Sequence, residues 1–360
     1  MKGTGSISIL HVILLSMTFI GLKNHVTILP SLLTNSGRDS WIAVILATLV
    51  VIPWLLLLVH IQKKLKGTSM REWLLQDNSI AGKVFIYVTV VYLLLVAAFT
   101  MRETLQWVST TFLTVTPILL LFFIYTLLCV FLATSNLQSI VMVNVIVLFG
   151  VLVLGFFVAF VNIQVKDYSL LLPLFENGYT SVIKSIVYPA SGFVELLMLL
   201  FIQHYFKEQL RFSHLLIMLL LLSWLTLGPL VGAIAEFGPI EAAKQRYPAY
   251  EEWRLATIGR FIEHLDFFSI YQWLTGAFVR IGFILFIVIE LLGLTGQKKQ
   301  IWTYVVPAFI FITLPLFLLS DRIFIEIKGK YFLVSTCFFF FALAFILVGF
   351  SKKRRKDKAA

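Results

Sequence analysis

Ten apolar runs, at residues 7–33, 41–61, 84–108, 117–133, 139–162, 182–206, 214–235, 267–294, 302–319 and 331–350, leave little of this chain outside them. About 20 helical residues cross the roughly 30 Å of hydrocarbon in a bilayer, and each run approaches or exceeds that length. With 60% of its 360 residues apolar and a mean hydropathy of +0.96, the chain carries more apolar surface than a water-soluble domain buries. The sequence predicts an all-α integral membrane protein with ten transmembrane helices, a single transmembrane domain over residues 1–350 and a basic cytoplasmic tail over 351–360.

The net charge of +11 is distributed by topology and does not point to nucleic acid. With the N-terminus inside, sixteen basic residues and four acidic ones fall on the inner side, against eleven basic and twelve acidic on the outer. That asymmetry is what the positive-inside rule expects, and it places both termini in the cytoplasm. The first run, with Lys2 ahead of it, is longer than the core of a secretory signal. It has no A-x-A-like cleavage site and is followed by nine more runs, so it is read as retained. Cys129 and Cys337 lie within apolar runs and provide neither a disulfide framework nor a zinc spacing. HExxH, GxSxG and phosphate-loop motifs are absent, so the chain is not read as an enzyme, and no cofactor or metal site is expected.

Five runs precede the loop around 166–178 and five follow it, so the second half, about 179–350, sits upside down relative to the first, about 7–162. Their punctuation matches. Gly21-Leu22-Lys23-Asn24-His25 interrupts the opening run of the first half, and Tyr188-Pro189-Ala190-Ser191-Gly192 that of the second. A polar connector with helical character follows the second run of each half, at 62–81 and 238–263. This is the layout of a five-plus-five inverted repeat, in which paired interruptions mark a solute site at mid-membrane depth.

A helix broken in lipid leaves backbone groups without partners, which is tolerated only where protein, water or a ligand supplies them. Half-helix N-termini favour an anionic group and exposed carbonyls an ammonium, so a zwitterion such as an amino acid suits such a site. Lys23 sits well inside the first span, where a charge costs on the order of 2.5–3.5 kcal/mol and faces a cavity or a partner. Glu195 lies one turn beyond the second break, and the two are expected to pair and line the solute site. The plainer alternative is an ion pair that only fixes helix packing. Arg280, midway along the eighth run, reaches toward Glu195, a ligand carboxylate or a carbonyl at a break. Ten residues separate it from Glu290, about 15 Å along a helix, so those two do not bridge. His25 in the first break and His11 ahead of it are candidates for proton handling, with a hydrogen-bonded core role as the plainer alternative, and Asn144 and Tyr188 are candidates for polar lining.

Three stretches carry a resemblance. Gly37-Arg38-Asp39-Ser40-Trp41-Ile42 after Leu29-Pro30-Ser31 is similar to the G-R-D-A-W-I signature of the B subunits of spore germinant receptors, the GerAB-like permease family. Arg246-Tyr247-Pro248, followed by Gly259-Arg260-Phe261-Ile262-Glu263-His264-Leu265-Asp266 and Trp273, is a second match. Pro173-Leu174-Phe175-Glu176-Asn177-Gly178 is a third. The resemblance implies the LeuT-like fold of the amino acid–polyamine–organocation superfamily, ten helices around a site formed by helices one, three, six and eight. It also implies a subunit of a nutrient receptor in the inner spore membrane, beside a membrane A subunit and a lipoprotein C subunit, that recognises a small-molecule germinant, often an amino acid. Carried onto this chain, the site is Gly21, Lys23 and Asn24 with neighbouring His25, then Tyr188, Ser191, Gly192 and Glu195, and Arg280. Lys23 departs from the superfamily pattern, which places small residues at the first break. The lysine of some proton-coupled relatives on helix five is missing. A proton-linked amino acid permease of vegetative cells is the alternative reading, and a scaffold that binds no nutrient is a third.

Overall fold

The computed structural model describes residues 7–76, 79–176, 178–259 and 264–357. Lys2, and Asn177 and residues 260–263 of the family-like stretches, lie outside the described residues. What is described is helical, in the order α1 (Ile9–Phe19), α2 (Leu29–Ser36), α3 (Ser40–Leu65), α4 (Met70–Leu75), α5 (Ile80–Thr111), α6 (Ile118–Ala133), α7 (Leu137–Val161) and α8 (Tyr179–Ser185). There follow α9 (Val187–Phe193), α10 (Phe212–Lys244), α11 (Pro248–Leu255), α12 (Phe268–Leu292), α13 (Lys298–Gln300), α14 (Val306–Leu318), α15 (Asp321–Ile327) and α16 (Leu333–Asp357).

Among the described residues, nine helical stretches are long and apolar enough to cross a bilayer. The tenth expected span, α6, is apolar but has only 16 residues, a rise of about 24 Å. The protein is thus an all-α integral membrane protein. Side chains cap several helices where the chain re-enters a span. Ser79 accepts from Gly82 N–H at the start of α5, and Asn136 from Ser139 N–H at the start of α7. The last span begins earlier than its apolar run, because Ser320 caps α15 and a π-helical turn, Lys328–Phe332, joins α15 to α16. α10 extends beyond its apolar run to Lys244, with a kink at Gly238, whose φ of 76° precedes Pro239.

The sixth span, Tyr179–Phe201, and the eighth, Leu265–Leu292, are central: 78% of the most apolar window of each is buried, against 28% for Leu137–Val165 and for Lys298–Leu318. α12 packs on α1, α5, α6 and α7, α9 packs on α3 and α16, and α10 packs on α1, α2 and α3. At one end the two interrupted spans are tied directly, since Ile7 N–H donates to the Tyr205 carbonyl at 3.2 Å and Lys207 N–H to the Ile7 carbonyl at 2.9 Å.

The first expected interruption takes the form of a change in hydrogen-bond register with no extended, unwound segment. The second, expected at residues 188–192, is not found there, since those residues are α-helical in α9, whose first turn accommodates Pro189, and the register changes only beyond them. After α1 the backbone stays right-handed through Leu22 and Ile28 but forms a π turn at Lys23–Thr27, where Ile28 N–H reaches the Lys23 carbonyl at 3.1 Å. α9 tightens into a 3-10 stretch over Val194–Phe201, eight residues where such runs seldom exceed three or four.

Candidate functional site at the two interrupted helices

Lys23 opens the π turn and Glu195 is the second residue of the 3-10 stretch; they are 3% and 0% exposed. Lys23 Nζ lies 2.9 Å from Glu195 Oε1 and donates to the Ser191 carbonyl at 2.8 Å. Arg280, from the middle of α12, grips the same carboxylate with two parallel bonds, Nη1 to Oε2 at 2.7 Å and Nη2 to Oε1 at 3.0 Å. Its Nη1 also donates to the Phe19 carbonyl at the end of α1, and its Nε to Thr100 Oγ1 of α5 at 3.2 Å. Backbone acceptors next to the two irregular turns are therefore met by the side chains of Lys23 and Arg280. That is how the register changes are tolerated without water. With all three groups ionised, two cations surround one carboxylate and the cluster carries one positive charge in excess.

Asn24 packs across to the sixth span. Its Nδ2 donates to Thr226 Oγ1 at 3.2 Å, while the buried Oδ1 has no donor. Gly192 faces it so closely that a Cβ there would fall 1.7 Å from Oδ1, so only glycine permits this approach. His25 Nδ1 donates to the Leu225 carbonyl of α10 at 3.2 Å. Ser191 enters through its carbonyl, its hydroxyl turning back to the Tyr188 carbonyl at 2.7 Å. The Tyr188 hydroxyl accepts from Asn35 Nδ2 of α2 at 3.1 Å, and the residue meets the ion cluster only indirectly, through Ser191.

The ion cluster itself is closed. Beside it, a cavity of about 480 Å³ is bounded by Gly21, Leu22 and His25 of the first break and by α7, α10, α11 and α12. Of the predicted residues, Gly21 and His25 border this space; Lys23, Asn24, Ser191, Gly192, Glu195 and Arg280 lie outside its lining. His11 serves the start of α1 with Ser8, Glu290 accepts from Tyr205 at 2.8 Å, and Asn144 is buried with both amide atoms unpartnered.

A second set of buried charges has no counterpart in the sequence reading. Glu103 of α5 pairs with Lys328 at the turn between α15 and α16, and accepts from Thr27 of the π turn at 2.9 Å. Next to it Arg102, 1% exposed, lies 2.7 Å from Asp321, which also meets Arg246 at 2.8 Å. The topological charge count assigns these groups to the outer side; the adjacent Arg102 and Glu103 inside an apolar run were the available signal.

Two of the family-like stretches meet. Phe175 N–H donates to Asp39 Oδ1 at 3.0 Å and Arg38 lies 3.2 Å from Glu176. Arg246 and Trp273, from the third, hold Asp321 and stack on Trp107 at 4.2 Å respectively.

Comparison with known proteins agrees. The chain is 38% identical to spore germination protein XB of Bacillus anthracis over 340 residues, 93% of this chain and 96% of that one. It is 26% identical to the putative spore germination protein YfkT of Bacillus subtilis (strain 168) over 280 residues, 78% of this chain and 76% of that one. The pattern of the spore germination protein family of permeases matches residues 7–325, and the chain belongs to that family.

Proposed function

We propose that this protein is the nutrient-recognising membrane subunit of a spore germination receptor and that an amino acid or similar zwitterion binds where the first and sixth spans are interrupted. The observation that carries this is the imbalance at the break. Lys23 and Arg280 share one carboxylate, leaving a positive charge for an incoming anion, and Asn24 Oδ1 is a buried acceptor without a donor, suited to an ammonium. The adjacent cavity borders Gly21 and His25, the chain neighbours of Lys23 and Asn24, and binding requires a shift of the first break that opens the cluster toward that space. Binding shifts the balance between two arrangements of the broken helices, which a ligand does only by favouring one of them, and the A and C subunits in the inner spore membrane respond to that shift.

Lys23→Met in spores lacking the native gene tests this. Germination toward an amino acid panel is expected to fall at least tenfold at normal protein abundance, and a normal response at normal abundance removes the proposal. Accumulation of labelled amino acid by the isolated chain in proteoliposomes would instead identify a proton-linked permease.

A further inference from the structure

The far wall of the same cavity carries a second group of buried polar side chains, unconnected to the ion cluster at the break. Glu252, on α11 between the seventh and eighth spans, is 6% exposed and borders the cavity, and its Oε1 has no hydrogen-bond partner. Glu236 of α10 lies behind it and Lys166 Nζ, from the loop after α7, sits 3.4 Å from Glu236 Oε1. Asn162 Nδ2 donates to Glu236 Oε2 at 3.1 Å and to the Glu252 carbonyl at 2.7 Å, while its own Oδ1, also buried, has no donor. One ammonium thus stands beside two carboxyl groups, and Glu252 Oε1 and Asn162 Oδ1, on different elements, have no hydrogen-bond partner. Gly232 makes room for the carboxylate, since a Cβ there would fall 2.8 Å from Glu252 Oε2.

Apart from Lys166, the cavity that Glu252 borders has a largely apolar and aromatic lining, which includes Trp253, Trp273 and Tyr250 and, from α7, Leu152 and Phe156. Buried acceptors without donors are rare, because each forfeits its hydration. A positively charged donor whose remainder is apolar gives Glu252, which borders the cavity, the partner its Oε1 lacks, favours the ionised form of that carboxyl, and fills the aromatic lining by cation–π and dispersion contact. We infer that the outer part of this cavity is a binding site for an organic ammonium with an apolar body, held by Glu252 and independent of the Lys23–Glu195–Arg280 cluster.

The test is equilibrium binding of tritiated 2-phenylethylammonium to the purified full chain in nanodiscs of zwitterionic lipid, with unlabelled 2-phenylethanol as neutral competitor. Saturable binding is expected to weaken at least tenfold in Glu252→Gln and to change less than threefold in Lys23→Met. Should Glu252→Gln fail to yield a monodisperse protein, Gly155→Val serves. Gly155 borders the cavity, a Cβ there touches only Gln272 at 3.7 Å, and the larger side chain is expected to abolish binding by filling the space. Competition by the alcohol as strong as by the unlabelled amine would show apolar occupancy alone and overturn the proposal. So would amine binding lost in Lys23→Met but kept in Glu252→Gln, or a protein stabilised by sodium or potassium and not by the amine.

Discussion

Glu195 shows how much rests on single side chains here. Both its oxygens are held by cations from other helices, so removing it strands Lys23 and Arg280 in a dry environment. Breaking a buried pair from one side costs about 3–5 kcal/mol. Lys23→Met instead leaves the two-pronged Glu195–Arg280 pair intact and neutral. In detergent, Glu195→Gln is therefore expected to lower Tm well below that of Lys23→Met; equal losses would show that Lys23 contributes more than one arm of the cluster. Glu252 behaves in the opposite sense. Burial and the neighbouring Glu236 charge, opposed by Lys166, hold its carboxyl well above the usual carboxylate range. The folded protein then binds a proton that the unfolded chain has released above about pH 4.3, so this contribution to stability is full below that value and is lost as pH rises through the elevated pKa. Wild-type Tm is expected to fall from pH 5 to pH 8 more steeply than that of Glu252→Gln, and parallel curves would contradict this. The roles of Lys23, Glu195 and Arg280 as partners were legible from their rarity inside apolar runs. Arg102, Glu103 and Lys328 were not, because each lies near the end of a run, where a charge is ordinarily assigned to the interface.

At the level of elements, glycine marked where the first span departs from α geometry but not how, while in the sixth span Pro189 and Gly192 lie within α9 and the departure follows them. Whether a helix widens to a π turn, tightens to 3-10 or unwinds depends on which donors reach its carbonyls, and those come from α12 and from the other broken span. A π turn holds one residue more than the α-helix it replaces. Deleting Val26 is therefore expected to restore α geometry with α1 and α2 kept in their present relative orientation, removing only the widened turn that presents Lys23 to Glu195. Germination should be lost while the span still inserts; a deletion variant with full response would show that the wide turn is dispensable.

For the whole molecule, membrane class and near-complete span count followed from apolar run length, which local composition fixes. The second ion network did not, since it joins residues over 200 positions apart. Asp321 ties Arg102 of α5 to Arg246 of the connector ahead of α11. Asp321→Asn is expected to lower Tm and speed proteolysis within residues 244–268, read by mass spectrometry; unchanged cleavage there would show that the connector is held by its aromatic contacts. The closed state of the inner cluster has a further implication for sensing. Under the proposed reading, a carboxylate arriving at Lys23 meets Glu195 already in place, so its binding exchanges one ion pair for another, with the excess positive charge favouring the exchange. On that reading the net gain is the small difference between two similar contacts, and a receptor built this way is expected to answer to abundance of nutrient in its surroundings and not to traces.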